Sequence, residues 1–415
     1  MTHIIKNKVH IIPPSSGCPM RSLDASKLKK YFYLNNFEVV NTAKDANYII
    51  IVTCSVSPLQ FDNSIEKICE LENETGEIIV MGCLPGANDI ELRKFFLGKA
   101  IATKDINGID KYFPDFRIKF EQVPEANFYN NEAINLISGI TYYTSYFKVF
   151  FKYGISQSFI RQVFRTYDYK KFKKVNYRYN VEDRCNIVIC HGCSNNCTYC
   201  NIKKSVGRIR SRSIKSIVEE YMQLLSEGYR LFHFIADDLS SYGLDLNSSL
   251  IQLLEELSKV DSKLHVKWSF QGINPSWLVE NYKEIVPLIK SKKIWELTIA
   301  VESGSDRIIK LMNRKYKIKD VEKVLKSFRK QNRGLRIDAL LFAGFPTETD
   351  KDFNDTLKFI SNVRLDDART TYYTEFERVA SAKIFPKVSN EVVQERCRMA
   401  RELMIKLKTD VVYEE

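Results

Sequence analysis

Six short apolar runs, separated by longer stretches with helical periodicity, fill the second half of the chain. They are "CNIVIC" at 185–190, "RLFHFIA" at 230–236, "LHVKWSF" at 264–270, "IWELTIA" at 294–300, "GLRIDALLFAG" at 334–344 and "ARTTYYTEF" at 368–376. Runs this short read as strands, and amphipathic stretches between them, such as "SSLIQLLEELSKV" and "WLVENYKEIVPLIKS", read as helices. Regular alternation of the two predicts parallel βα units. In such units the chemistry sits on the loops that follow the strands.

The loop after the first run carries "CHGCSNNCTYC", with Cys190, Cys193, Cys197 and Cys200. A structural zinc site normally takes two close cysteine or histidine pairs separated by a longer loop. Here Cys193, Cys197 and Cys200 stand as C-x3-C-x2-C with no second pair nearby. Three thiolates on one tight loop can hold three irons of a cubane cluster and leave the fourth iron open. Cys190 ends the apolar run and reads as a small buried residue, as do Cys185, Cys69 and Cys397.

The N-terminal third repeats the logic. Cys18 follows "VHIIPPSSG", Cys54 follows "YIIIVT" and Cys83 follows "EIIVMG", with helical segments "LDASKLKKYFYLNN" and "NSIEKICELENE" between them. In a doubly wound parallel sheet the loops after the strands gather along one edge, so these three cysteines are expected to meet in space. Three cysteines buried in an ordinary α/β domain are the plainer alternative.

Composition sets outer bounds. The 415 residues leave room for two or three domains, and 44% apolar with 27% charged residues is ordinary for a globular protein. The start, "MTHIIKNKVH", lacks the apolar core of a secretion signal, and no run is long enough to span a membrane. A cytoplasmic protein is expected, in which the ten cysteines serve metal or catalysis rather than disulfides. The net charge of +12 favours acidic partners without fixing one.

Taken together the motifs resemble the radical S-adenosylmethionine (SAM) methylthiotransferases, which install CH3–S– groups on tRNA adenosines and on an aspartate of a ribosomal protein. "SSGCPMRSLDASKL", "VTCSV" and "MGCLPG" look like the family's three N-terminal cysteine motifs. "GCSNNCTYC" with "GRIRSR" resembles the radical SAM motif and its basic extension. "DDLSSYGLD", "INPSWL", "ESGSDRIIKLMNRKY", "LLFAGFPTETDKDF" and "SNEVVQER" are similar to later family blocks in the same order.

The resemblance implies two α/β parts. A doubly wound parallel domain at 1–112 would hold an auxiliary [4Fe-4S] cluster on Cys18, Cys54 and Cys83. A radical SAM partial (β/α)6 barrel at 181–385 would hold a second [4Fe-4S] cluster on Cys193, Cys197 and Cys200. A helix within 386–415 would close the barrel. SAM would be used twice, once as methyl donor and once as the source of a 5′-deoxyadenosyl radical. The auxiliary cluster would deliver sulfur to the carbon that loses its hydrogen. By the same resemblance Tyr199, Asp237, Asp238, Glu302, Ser303, Arg314, Gly344 and Phe345 are expected to contact the cofactor, with Arg314 pairing the SAM carboxylate.

Three features depart from the family pattern. The sequence ends at Glu415, and the family's small RNA-holding TRAM domain is therefore expected to be missing. "TEFERVASAKIFP" lacks the Pro and Gly of the matching family loop. Residues 113–180 form an aromatic and basic linker or insert, in which Tyr167, Tyr169, Phe172, Tyr177 and Tyr179 interleave with Lys170, Lys171, Lys173, Lys174 and Arg178. Such interleaving suits single-stranded nucleic acid, an acidic peptide or a plain charged edge. The expectation leans to a peptide or protein side chain as substrate, with a tRNA adenosine as the alternative. A non-enzymatic iron–sulfur carrier has no need of six βα units. A monomer served by a reductant such as flavodoxin or ferredoxin, with no membrane partner, completes the expectation.

Overall fold

The computed structural model describes residues 7–15, 18–55, 58–128, 184–373, 375–376 and 379–412. At the N-terminal end the sequence runs form β1 (Lys8–Ile12), α1 (Pro19–Leu34), β2 (Glu38–Val40), β3 (Tyr48–Thr53), α2 (Pro58–Glu70), β4 (Glu77–Gly82), α3 (Cys83–Ala87), α4 (Asp89–Leu92) and β5 (Lys99–Ala102). The strands pair in the order β2-β1-β3-β4-β5, all parallel. Five of the six residues of β3 are buried, as an unbroken apolar run in a central parallel strand requires. The edge strands β2 and β5, of three and four residues, are too short for periodicity to separate them from loop.

α1 begins at Pro19 rather than at Leu23, because proline is suited to the first helical position, where its missing N–H costs nothing. The helix buries both of its sides. Leu28, Tyr31 and Phe32 face the first sheet, while Met20 and Leu23 pack on Val188 and Ile235 of the second. That wedged position explains why Arg21, Ser22, Asp24, Ser26 and Lys27 are all buried.

Packing of the first core continues past residue 112. Phe116 and Phe120 lie against Tyr31, and Phe113 and Phe116 lie edge-on to Phe32. The interleaved aromatic and basic stretch at 167–179 lies outside the described residues.

The second sheet begins with β6 (Arg184–His191), α5 (Ile202–Val206), β7 (Arg210–Ser211), α6 (Ile214–Ser226), β8 (Leu231–Ala236) and α7 (Leu250–Val260). It continues through β9 (Lys267–Ile273), α8 (Pro275–Glu280), α9 (Tyr282–Lys290), β10 (Ile294–Glu302), α10 (Asp306–Leu311) and α11 (Ile318–Gln331). β11 (Arg336–Ala343), α12 (Asp350–Val363), β12 (Asp367–Tyr372) and α13 (Asn390–Val412) end it. The strand order is β12-β11-β10-β9-β8-β6-β7. The six expected strands are present and parallel. Among the described residues the sheet stays open between β12 and β7, a partial barrel. Two details differ from the sequence pattern. The basic extension "GRIRSR" supplies β7, a further strand that adds antiparallel to β6. The stretch at 277–291 divides into α8 and α9 at Asn281, whose backbone leaves the helical region.

α13 lies along the barrel and buries Val393, Cys397, Ala400 and Met404. Its Arg396 bonds Glu348, whose carboxylate also accepts the Gly344 N–H at 2.8 Å. Burial pushes Glu348 up to about 7. Burial does the same to Asp338 on β11, also to about 7; Asp367 and Glu296 reinforce the rise, and Arg336 and Arg369 oppose it. Both pKa values lie above the unfolded carboxylate value, so protonation favours the folded state. That favourable contribution is complete below about pH 4 and is lost as pH rises through about 7. Between pH 5 and 8 thermal unfolding of the protein should therefore shift to lower temperature. Asp338→Asn should flatten that decline by on the order of a few kcal/mol. An unchanged slope in the variant would remove Asp338 as its source.

Candidate metal centres at the domain seam

Each cysteine of the first triad follows a strand. Cys18 is the N-cap of α1, where the Arg21 backbone N–H favours its thiolate. Cys54 follows β3, and its backbone N–H and C=O both bond the Ser64 hydroxyl, at 3.3 and 2.8 Å. Cys83 opens α3 directly after β4. Cys54 lies near enough to Cys18 to raise its thiol pKa, and Cys18 does the same to Cys83. The sheet edge thus gathers three cysteines that the sequence separates.

The second triad lies on the loop between β6 and α5. The loop leaves β6 through Gly192, whose φ of 83° and whose contact with Arg208 exclude a side chain: a Cβ there would lie 2.1 Å from the Arg208 carbonyl oxygen. Asp237 and Asp238, at the end of β8, hold this loop. Asp237 accepts the Gly192 N–H at 2.9 Å, and Asp238 accepts from the Asn195 side-chain amide at 2.5 Å and from the Cys193 thiol at 3.4 Å. The Asn195 backbone N–H points at the Cys193 sulfur from 3.3 Å, and the Ile202 and Lys203 N–H groups favour the Cys200 thiolate.

Behind the loop stands a buried polar group. Tyr199 donates to Glu302 at 2.8 Å, and the Arg314 guanidinium lies 3.5 Å from the Cys197 sulfur and 3.8 Å from Glu302. Burial raises Glu302 above its usual range, although Arg314 and Tyr199 oppose it. Ser303 is fully buried, and its hydroxyl accepts the Ser305 N–H at 3.2 Å. Gly344 and Phe345 directly follow β11; Phe345 is buried edge-on to Tyr373. Tyr199, Glu302 and Arg314 therefore meet beside the cysteine loop, whereas Ser303 and Phe345 are committed to the barrel wall.

The two triads face one seam. Ser205 on α5 donates to the Cys83 carbonyl at 2.9 Å, and the Asn201 side chain reaches the Ala87 carbonyl at 3.3 Å. Gly86 permits this approach, since a Cβ there would lie 2.6 Å from the Ser205 Cα. Across the same seam Arg21 lies 3.6 Å from Asp237 and 3.7 Å from the Cys83 sulfur.

The residues present suit iron–sulfur clusters. Burial pushes the thiols of Cys18, Cys83, Cys193 and Cys200 up to about 12, so a thiolate at these positions calls for a cation to balance its charge. Backbone N–H groups already point at the sulfurs, as cluster thiolates require. Buried polar atoms without hydrogen-bond partners include Arg21 Nε and Nη2, Ser55 Oγ, Asn201 Oδ1 and Arg314 Nε, each on a residue adjoining or contacting these cysteines. Among the described residues no three His, Cys, Asp or Glu side chains converge on a single-ion site. A cubane spreads its ligands over separate irons and tolerates that wider spacing.

Sequence reading overlooked Arg21, Asn195 and Ser205. The only signal for Arg21 is a charged residue in the first helical turn, next to Met20 and two residues before Leu23. Cys185, Cys190 and Cys397 are buried as expected. Cys69 is a correction: it is exposed, because the buried stripe of α2 runs through Ser64, Ile65 and Ile68 beside it.

Comparison with known proteins agrees with this geometry. The Radical SAM superfamily profile matches residues 187–360, and that of Uncharacterized protein family UPF0004 matches residues 8–102. The chain is 27% identical to ribosomal protein uS12 methylthiotransferase RimO of Geotalea uraniireducens, over 95% of this chain and 81% of that protein. It is 24% identical to a probable threonylcarbamoyladenosine tRNA methylthiotransferase of Methanocaldococcus jannaschii, over 96% of this chain and 82% of that protein. The fold is similar to that of the radical SAM methyltransferase TsrM of Kitasatospora setae, with a TM-score of 0.60 at 12% identity over 91% and 77% of the two chains. An open α/β barrel with a three-cysteine loop after its first strand is the framework of a radical SAM enzyme. With the N-terminal cysteine domain added, the chain belongs to the radical SAM methylthiotransferases, enzymes whose cofactors are SAM and two [4Fe-4S] clusters.

Among the described residues no helix is long and apolar enough to cross a membrane.

Proposed function

We propose that Cys193, Cys197 and Cys200 hold the SAM-cleaving cluster, that Cys18, Cys54 and Cys83 hold the sulfur-delivering one, and that the substrate is an adenosine of tRNA. The observation that carries the ligand assignment is the shared seam, where the helices that follow Cys83 and Cys200 touch through Ser205 and Asn201. When bound, the clusters and SAM supply radical formation and sulfur. The chain's own residues bind and orient. Arg314, beside Cys197, is suited to pairing a carboxylate, as a guanidinium fork does. Glu302 and Tyr199 fix one another next to it. Asp237 and Asp238 hold the loop that presents Cys193. Electrons come from an external one-electron reductant.

The tRNA reading draws on relatives named as tRNA methylthiotransferases and on an exposed basic rim beside the seam. Arg208 and Arg210 are exposed after α5, and Lys104 of the N-terminal domain is exposed next to them: a Cβ at Gly207 would lie 3.1 Å from the Lys104 Cβ. Such a rim suits a phosphate backbone. Binding of bulk tRNA should weaken steeply with salt. Replacing Lys104, Arg208 and Arg210 with alanine should lower the log–log salt slope by roughly one per residue. RNA from cells with the gene should carry a methylthioadenosine that is missing without it. A second reading, a ribosomal-protein side chain, is favoured by the uS12-modifying relative. A gene-dependent methylthio mark on protein, with salt-insensitive tRNA binding, would replace the tRNA reading with that one.

A further inference from the structure

Arg21 is fully buried between the two cysteine sites and spends one guanidinium nitrogen on each of three neighbours. Nε faces Asp24 at 2.9 Å, Nη2 faces Asp237 at 3.6 Å, and Nη1 donates toward the Cys83 sulfur at 3.7 Å. Burial disfavours its charge, but Asp24 and Asp237 outweigh that and keep it protonated well above the ordinary range. The remaining oxygen of Asp237 accepts the Gly192 N–H, one residue before Cys193. An unbroken chain of contacts thus runs from a sulfur of one triad through Arg21 and Asp237 to the backbone that presents the other. A buried guanidinium costs stability unless fully paired, and here two of its nitrogens lack well-directed hydrogen bonds. A packed apolar residue would serve the fold at less cost, so the charge itself calls for a use.

We propose that Arg21 is a positioning residue that sets the electron affinity of the Cys18–Cys54–Cys83 centre and, through Asp237, ties it to the Cys193 loop. The inference rests on the ligand assignment made above. Adding an electron to a cluster adds negative charge, which a fixed cation 3.7 Å from one ligand sulfur stabilises and a neighbouring carboxylate opposes. The three-way fork matters as well as the charge, since lysine carries its charge at one point and cannot meet three partners in fixed directions.

The test is a redox titration followed by electron paramagnetic resonance on anaerobically prepared full-length protein. The auxiliary signal is identified as the one lost in the Cys18/Cys54/Cys83→Ala variant. Arg21→Gln should move its midpoint to lower potential, and Asp237→Asn should move it to higher potential. Arg21→Lys should fall between wild type and Arg21→Gln. Opposite shifts from the two neutralising changes are the signature of electrostatic control, because a purely structural role would disturb the cluster the same way in both. An unmoved midpoint, or shifts of the same sign, would overturn the proposal. If Arg21→Gln loses its iron, Asp237→Asn and Arg21→Lys decide by the same criterion. If the triple cysteine variant keeps both signals, the ligand assignment has failed instead, and the two failures are distinct.

Discussion

Replacing Cys193, Cys197 and Cys200 together with alanine should remove about half the iron from anaerobically prepared protein, and replacing Cys18, Cys54 and Cys83 should remove the other half. The structure gives each loss a local character. The triads lie on loops of two different sheets, so neither is needed to form the other's strands. The surrounding backbone contacts also survive the substitutions: across the seam Ser205 bonds the backbone carbonyl of Cys83, and within the N-terminal domain Ser64 bonds the backbone of Cys54, so alanine keeps both. Cys190→Ala should leave iron unchanged, since that thiol is fully buried and directed at the Asp238 carbonyl from 3.6 Å. Iron and acid-labile sulfide per chain check all three. Full iron in either triple variant would reject that triad, and a loss in Cys190→Ala would add a ligand that neither spacing nor burial indicates.

The larger effect is on the reaction. With Cys18, Cys54 and Cys83 replaced, the protein should still convert SAM to 5′-deoxyadenosine under strong reduction, and should form no methylthio product. The groups proposed to handle SAM, Tyr199, Glu302 and Arg314, all belong to the second sheet and its loops and contact one another directly. Replacing the first triad touches none of them. With Cys193, Cys197 and Cys200 replaced, both products should disappear. Chromatography of 5′-deoxyadenosine and mass spectrometry of the product read the two halves separately. Methylthio product from the first variant would end the sulfur-delivery role of the N-terminal centre.

Much of this was legible before any coordinates. Local periodicity gave β3, β4 and the six parallel strands of the barrel, because a buried parallel strand must be a nearly continuous apolar run. What local pattern missed is equally physical. β2, β5 and β7 are two to four residues long and owe their pairing to neighbours rather than to their own sequence. The buried polar face of α1 reads as a solvated helix until the second domain is packed against it.

By itself the sequence determined the inventory: which cysteines end strands, how three of them are spaced on one loop, and how many βα units stand behind that loop. Those features depend on residues close together in the chain, where spacing and side-chain period act directly. Only the tertiary structure decided that both triads open on one seam, that Ser205 docks against Cys83, and that Arg21 reaches Asp237. Contacts between residues this far apart in sequence leave no periodic trace. They exist because two sheets pack α1 between them, and a guanidinium enclosed that way must find its carboxylates wherever the fold brings them.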